Sequence, residues 1–567
     1  MNATRFLRII PRTRTPALLL TAFLLATPPS GARAQSGTSA LQGRVTDEQG
    51  GVLPGATVVL TSAATSAMRE SVSDETGAYQ FLAMPPGRYE LRVELSGFRT
   101  ALVEDVTLQV DSTARTDVVL SVGNVVETVE VSAEPPVINT TDASIGNVIS
   151  GTQIRELPLE GRNVVGLLSL QPGVTYIPVD DPNDPDNMDP RYGAVSGSRA
   201  DQSSATLDGI DVNDAENQSA FTSALRVTLD SVEEFRVTTS NYGADQGRSS
   251  GAQVSLVTRS GTNSFSGAGY WANRDTQFSA NEYFLKLSQL AADEPSEPPL
   301  LNKNIYGFSV GGPVRRDRLF YFFNFEGLDD ERESVVSRAV PSDSFRDGVL
   351  MYQCANPGAC PGGAVQGLTG SHQVAPGFYG MSPNDLRRVD PLHIGPSPAA
   401  MDLFRQYPSP NEQGNYPDNI DSFRFAAPLE KQFRTYVSRV DYKPGGPHSL
   451  FGRLNFQDDE EVDEPQFTDG PASSTSTTNN RGFAIGHDWV IGSNMINTLR
   501  YGYTLIDQDE LGLQTGNAIT FRFIDDLTDD SDSFGRELGT HNISNDFSWL
   551  LGQHTLKAGV NVRWIRN

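Results

Sequence analysis

The chain has 567 residues, 70 acidic against 44 basic side chains, a formal charge of −26 and two cysteines. That length calls for several domains. The acidic balance rules against a nucleic-acid surface, and two thiols alone favour a local disulfide over a metal pair.

Export is written at the start. Arg5, Arg8, Arg12 and Arg14 precede the apolar run 17–26, and Ala32-Arg33-Ala34 supplies a small-residue cleavage site before Gln35. Basic, apolar and small regions in that order predict a signal peptide over 1–34, too short in its apolar part to span a bilayer well. No later stretch is a transmembrane helix, so the exported chain is either soluble or spans as a β-barrel.

Residues 41–122 alternate with period two. In "GRYELRVELSGF", Tyr89, Leu91, Val93 and Leu95 share one face and Glu90, Arg92 and Glu94 the other. With Gly, Pro and Asp turns at short intervals this predicts a β-sandwich. Its sequence resembles the carboxypeptidase regulatory-like domain through "GRVTDEQGGVLPGATVVLTS" and "PPGRYELRVELSGF". That domain is an accessory in its family. The six histidines (His372, His393, His448, His487, His541 and His554) form no H-E-x-x-H or H-x-x-E pattern, so peptidase chemistry is rejected.

A linker over 125–134 follows. Within it Glu127-Thr128-Val129-Glu130-Val131 is a short β-prone segment before Pro135-Pro136. Alternation leaves two readings open, a last sandwich strand or an extended peptide that adds to a partner's sheet edge. Residues 135–260 mix short helices and strands. "GRNVVGLLSLQPGV" predicts a helical turn or two stopped by Pro172-Gly173, and Asp208-Gly209 predicts a turn between short strands. The acidic run 179–189 misses the calcium-loop spacing and reads as a solvated loop. Gly247-Arg248-Ser249-Ser250-Gly251 matches G-x-S-x-G, but a nucleophile elbow needs a helix after the serine. An alternating strand follows instead, so Ser249 is expected to be structural.

Four segments carry a further resemblance: "RELPLEGRNVVGLLSLQPGV", "GSRADQSSATLDGIDVND", "VEEFRVTTSNYGADQGRSSGAQVSLVTRSGTNSFSG" and "NIYGFSVGGPVRRDRLFYFFNFEG". Together they resemble a TonB-dependent outer-membrane receptor of the Oar-like group. The resemblance implies that 135–260 are a plug and that Glu127, Thr128, Val129, Glu130 and Val131 occupy the TonB-box position. It also implies transport of an extracellular ligand without a covalent step, catalytic residue, metal or cofactor. The implied partners are a TonB-type inner-membrane energy-coupling protein and outer-membrane lipid, with no nucleic acid. The implied location is the outer membrane of a Gram-negative-type bacterium, with the sandwich in the periplasm. Iron chelates, cobalamin, glycans and peptides are all taken up by relatives, and the exterior loops offer no motif that selects among them.

From 263 to 567 the alternation predicts a transmembrane wall. Leu556, Ala558, Val560, Val562 and Trp564 share one face of "HTLKAGVNVRWI". Nine strands are expected, near 264–275, 304–314, 318–328, 432–443, 448–458, 481–491, 495–506, 542–551 and 554–565. Their connections alternate long and short, the outer-membrane pattern. The loop with Cys354 and Cys360 then faces the exterior, where a disulfide persists. If Asn324 and Glu326 point inward, Phe320 and Phe322 do too, against the plug. Nine strands do not close, so an N-terminal fragment is expected. The fold class is mainly β: sandwich, α+β plug and an incomplete antiparallel barrel. A surface adhesive protein on the same barrel is the alternative function; a secreted hydrolase fails for want of a catalytic constellation.

Overall fold

The computed structural model describes residues 37–123, 128–132, 143–157, 162, 164–175, 194–214, 223–243, 246–247, 250–291, 293, 295–353, 372–375, 378–416, 419–492, 494–513, 519–528, 532–551 and 554–566. It is mainly β, and none of its helices is long and apolar enough to cross a membrane.

The first unit contains β1 (Ser39–Asp47), β2 (Thr57–Ser62), β3 (Met68–Val72), β4 (Ala78–Met84), β5 (Gly87–Glu94), β6 (Thr100–Leu108), β7 (Thr113–Arg115), β8 (Val118–Leu120) and β9 (Thr128–Ser132). One sheet orders β4-β1-β7, with β8 also on β1, and the other orders β3-β2-β5-β6-β9. The period-two face is the core: Tyr89, Leu91 and Val93 are buried with Leu41, Phe81 and Val103 between the sheets. Sequence reading passed over β3 and β6. "MRESV" and "TALVEDVTL" carry Arg69, Glu70, Glu104 and Asp105, of which the three acids are exposed, and these charges dilute their apolar signal.

The second unit contains β10 (Ile145–Ser150), β11 (Val174–Thr175), β12 (Ala194–Val195), β13 (Ser204–Leu207), β14 (Ile210–Asp211), β15 (Val232–Ser240) and β16 (Gln253–Thr258). Five of these form a sheet ordered β10-β15-β16-β13-β14. A helix at Gly151–Glu156, capped by a Ser150–Gln153 capping box, and a 3-10 helix at Val164–Leu170 cover it. β16 is buried at all six positions, as a central strand covered on both faces must be.

The third unit is one antiparallel sheet. Its long strands are β17 (Ser266–Asp275), β18 (Leu301–Arg315), β19 (Leu319–Pro341), β24 (Ile420–Gly445), β25 (His448–Val462), β27 (Arg481–Ile491), β28 (Met495–Gly512), β29 (Phe534–Leu551) and β30 (His554–Arg566). All nine expected strands are therefore present. Shorter β23 (Glu412–Tyr416) and β26 (Ser474–Thr478) join the sheet, while β20 (Leu350–Gln353), β21 (His372–Ala375) and β22 (Phe378–Met381) form a separate small sheet in the longest connection. β17 and β30 are the two edges.

Burial shows which solvent this wall was built for. Its polar side chains point inward and are buried, among them Arg453, Asn455, Arg500, Thr504, Asn542 and Ser544. Many of its apolar ones point away from the other units: Leu454, Ile485, Val562 and Trp564 are 47, 52, 54 and 71% exposed. A water-soluble sheet hides its apolar face; apolar-out and polar-in is the pattern of a lipid-facing barrel. Several strands run far beyond the 9–11 residues that cross a bilayer. β24 has 26 residues and β19 has 23, paired to each other from Leu319↔Tyr442 to Pro341↔Ile420. The excess lies toward the long connections, where "DDERE" (329–333) and "EK" (430–431) read as loop in sequence but form a hydrogen-bonded ladder.

Candidate functional site at the plug–wall interface

The second unit sits inside the curve of the wall, and the stretch "TLDGIDVND" is where the two meet most closely. β13 and β14 are joined by Asp208-Gly209, both at positive φ (52° and 79°), the backbone of a two-residue hairpin turn. The turn spaces three carboxylates, Asp208, Asp211 and Asp214, toward three parts of the wall.

Asp208 is the most buried of them. It accepts from the Thr258 backbone N–H at 3.0 Å and hydroxyl at 2.9 Å within the plug. From the wall, Arg439 Nη1 approaches at 2.9 Å and Arg453 Nη1 at 3.4 Å. Arg439 is held in place by Asp441, at 2.9 Å on its own strand. Arg453 is fully buried, and its Nε and Nη2 find no protein partner among the described residues. Asp211 pairs with Arg563 at 3.0 Å and Asp214 with Arg536 at 2.8 Å.

Two further pairs run in the opposite sense, from plug arginine to wall carboxylate. Arg162 meets Glu326 at 2.5 Å, and Arg226 meets Asp459 at 2.8 Å. Neutral bonds fill in between: Thr228 Oγ1 donates to Asn324 Oδ1 at 2.6 Å, and Asn480 Nδ2 to the Ala224 carbonyl at 2.9 Å. Asn480 lies in the break between β26 and β27, so a local interruption of the wall is aimed at the plug. The inward set on β19 is as expected. Phe320, Phe322, Asn324 and Glu326 are all buried, and the Arg259 guanidinium lies 5.3 Å from the Phe322 ring.

Apolar knobs complete the fit. A Cβ at Gly482 would lie 2.3 Å from Leu225 Cδ1, and one at Gly502 would lie 2.6 Å from Ile210 Cγ2. These wall glycines are the holes for two plug side chains. The interface as a whole is polar and ionic. Such contacts specify position but add little net stability over solvated alternatives.

A second set of contacts fastens the sandwich to the plug and wall. The Val110 N–H donates to Glu234 Oε2 at 2.8 Å, and Arg236 Nη1 donates to the Val110 carbonyl at 3.1 Å. Asp111 pairs with Ser255. Three short-turn ends of the wall touch the sandwich: Asn263 N–H to the Ala64 carbonyl at 2.9 Å, Lys443 Nζ to Thr65 at 2.9 Å, and Thr555 to Gln80 at 3.3 Å. Burial pushes the Glu234 carboxyl up to about 7, partly offset by the Val110 N–H.

The residues singled out in sequence fare unevenly. Thr128, Val129, Glu130 and Val131 lie in β9, which pairs in parallel with β6 through Thr100↔Thr128, Ala101↔Val129, Leu102↔Glu130 and Val103↔Val131. That is the plainer of the two readings, a last sandwich strand, and β9 is the edge of its sheet. Glu127, Ser249, Cys354, Cys360 and the acidic run 179–189 lie outside the described residues. The ion-pair carboxylates Asp208, Asp211 and Asp214 lie in the motif "TLDGIDVND", which by itself names no wall arginine as their partner. Their i, i+3, i+6 spacing is legible; the strands that answer them are more than 200 residues away.

Residues 257–567, more than half of the chain, match the family described as outer membrane beta barrel domain. The chain belongs to that family. Residues 40–121 match the carboxypeptidase regulatory-like domain. This is the domain order of the Oar-like TonB-dependent receptors that the motifs resemble, and it places the chain in an outer membrane. Over 310 residues the chain is 27% identical to the TonB-dependent transporter Oar of Myxococcus xanthus, covering 52% of this chain and 27% of that one. Solved structures with a similar course include the siderophore receptor PirA of Acinetobacter baumannii, at 13% identity, a TM-score of 0.41, and 74% and 47% coverage. The outer membrane transporter YddB of Escherichia coli aligns at 10% identity and a TM-score of 0.43, covering 74% and 48%. The chain thus spans about half the length of those structures and about a quarter of the curated relative.

Proposed function

We propose that this chain is the sandwich, plug and part of the wall of an energy-coupled importer. The long connections face the exterior and hold the ligand; the short turns and the sandwich face the periplasm. An inner-membrane partner of TonB type adds a strand at Glu127–Val131 and pulls, and the plug rearranges within the wall to let the ligand pass. No bond is made or broken in the ligand, so the protein is a transporter without catalytic residues.

One observation carries this reading. The plug is held by separate ion pairs and hydrogen bonds, Asp208–Arg439, Asp211–Arg563, Asp214–Arg536, Arg162–Glu326 and Arg226–Asp459. Polar pairs can be exchanged for water one at a time as the plug shifts, which a continuous apolar core does not allow. A plug meant to stay would be packed like a core.

The test is uptake in energised cells. Spent medium from cells carrying the native protein and its Val129→Pro variant is compared by mass spectrometry. Proline removes a strand donor, so the variant should leave in the medium a compound that native cells deplete. Identical depletion by both, with equal surface expression, would remove energy coupling from the account and leave the adhesive alternative standing.

A further inference from the structure

The sandwich is held by two seams of different build. Toward the plug it inserts a prong. Val110, fully buried, donates its N–H to Glu234 Oε2 at 2.8 Å and accepts from Arg236 Nη1 at 3.1 Å, and both partners are buried on β15. Asp111 beside it accepts from the Ser255 hydroxyl of β16, and its own N–H donates to the Thr38 carbonyl at 3.0 Å. That bond draws the entry to β1 into the prong. There Gly37 comes so close to the Asp208-Gly209 turn that a Cβ on it would lie 3.3 Å from the Gly209 nitrogen. The prong thus ends on the hairpin that carries the plug's most buried ion pair.

Toward the wall the seam is a set of polar contacts at a rim. The turn between β2 and β3 supplies three of them. The Ala64 carbonyl accepts from the Asn263 N–H at 2.9 Å, Ser66 Oγ lies 3.2 Å from Asn263 Nδ2, and Thr65 Oγ1 lies 2.9 Å from Lys443 Nζ. Gln80 on β4 meets Thr555 at 3.3 Å. Ala64, Ser66 and Thr555 are exposed. Arg69 is attracted to Asp488, which already pairs with Arg500 at 2.8 Å. Exposed polar contacts exchange for water at little net cost; undoing a buried carboxylate–amide bond and lifting out a buried valine does not. The chain order agrees, since the sandwich leads into the plug and the plug alone leads into the wall.

We infer that the sandwich and the plug form one moving body, and that the seam which opens when the plug is displaced lies between the sandwich and the wall. The sandwich is then a clasp on the rim. Its β2–β3 turn lets go of Asn263 and Lys443 first, and the Val110 prong carries the sandwich along with the plug. A sandwich that stayed on the wall would hold the plug back through Val110. This inference rests on the importer reading for the displacement itself and adds which contacts give way.

Hydrogen exchange of the native chain, purified in detergent at about pH 6, reads both seams, because each contains a backbone N–H bonded across it. Val110 reports the sandwich–plug seam and Asn263 the sandwich–wall seam. The Lys443 N–H, bonded to the Arg318 carbonyl within the wall, reports fraying of the rim itself. After correction for intrinsic rates, Asn263 should exchange at least about tenfold faster than Val110, and Lys443 more slowly than Asn263. A smaller ratio, or Val110 the faster of the two, would mean that the sandwich does not leave the wall first, and overturns the inference. So would Lys443 exchanging as fast as Asn263, because the rim and not the seam would then be opening. None of these readings involves a ligand or a partner protein. Failure here therefore leaves the importer reading standing, and that reading fails separately, on uptake by Val129→Pro.

Discussion

Asp208 of the plug lies 2.9 Å from Arg439 and 3.4 Å from Arg453, on two different wall strands, with its own side chain 3% exposed. With Asp441 on the wall, this one plug carboxylate balances two buried guanidiniums. Removing the charge leaves both without their plug counter-ion. Asp208→Asn is expected to destabilise the seated plug by about 3 kcal/mol or more, the usual result of breaking a buried pair from one side. Proteolysis of the plug, measured against an intact wall, reads this directly. Arg536→Ala and Arg563→Ala act on single pairs and should cost less.

The glycine holes make a steric prediction. Gly502→Ala sets a methyl 2.6 Å from Ile210 Cγ2 and should cost about 1–3 kcal/mol of plug stability by overpacking. Ile210→Ala should return much of that loss in the double variant, because the two sites share one contact. Additive effects of the two substitutions would show that the plug does not seat there.

Glu234 makes the sandwich contact pH-dependent. Its carboxyl is raised from 4.5 to about 7 in the docked chain by burial, opposed by the Val110 N–H; Glu233 and Asp111 add to the rise and Arg236 reduces it. A raised acid favours the docked state when protonated. The contribution is complete below the ordinary carboxylate range and is lost as pH rises to about 7. Comparing melting profiles of the native chain and Glu234→Gln from pH 4.5 to 8 should show the native chain losing on the order of 3 kcal/mol relative to the variant. Parallel profiles would contradict this.

The inverted wall predicts opposite outcomes at neighbouring positions. Val562→Arg puts a charge on the lipid face and should cost about 2–4 kcal/mol near the midplane, read as loss of folded protein in bilayers. Asn561→Arg, one residue away on the inward face, should be tolerated.

How much of this was legible in the chain depends on the distance over which a signal acts. The nine long wall strands were, because period-two alternation is local and Leu556, Val560, Val562 and Trp564 announce their face without knowing their neighbours. The Asp208-Gly209 turn was, because two positive-φ positions in succession select those residues. The strand extensions were not: Asp329, Asp330 and Glu331 are a run of charges that reads as loop, yet the ladder with β24 holds them and Asp330 is buried. The ion pairs were not either, since Arg439, Arg536 and Arg563 gain meaning only when folding brings them to a turn far back in sequence. β9 was ambiguous for a different reason. The same five residues satisfy a sandwich edge and a partner's strand, and both uses need the same extended backbone.

The measurement that bears most directly on the central claim is binding of a TonB-type periplasmic domain to the purified native chain and to Val129→Pro. The account predicts saturable binding by the native chain and its loss in the variant, with the wall and plug still folded. Equal binding by both would contradict it, since the strand at Thr128–Ser132 would then not be where energy enters the protein.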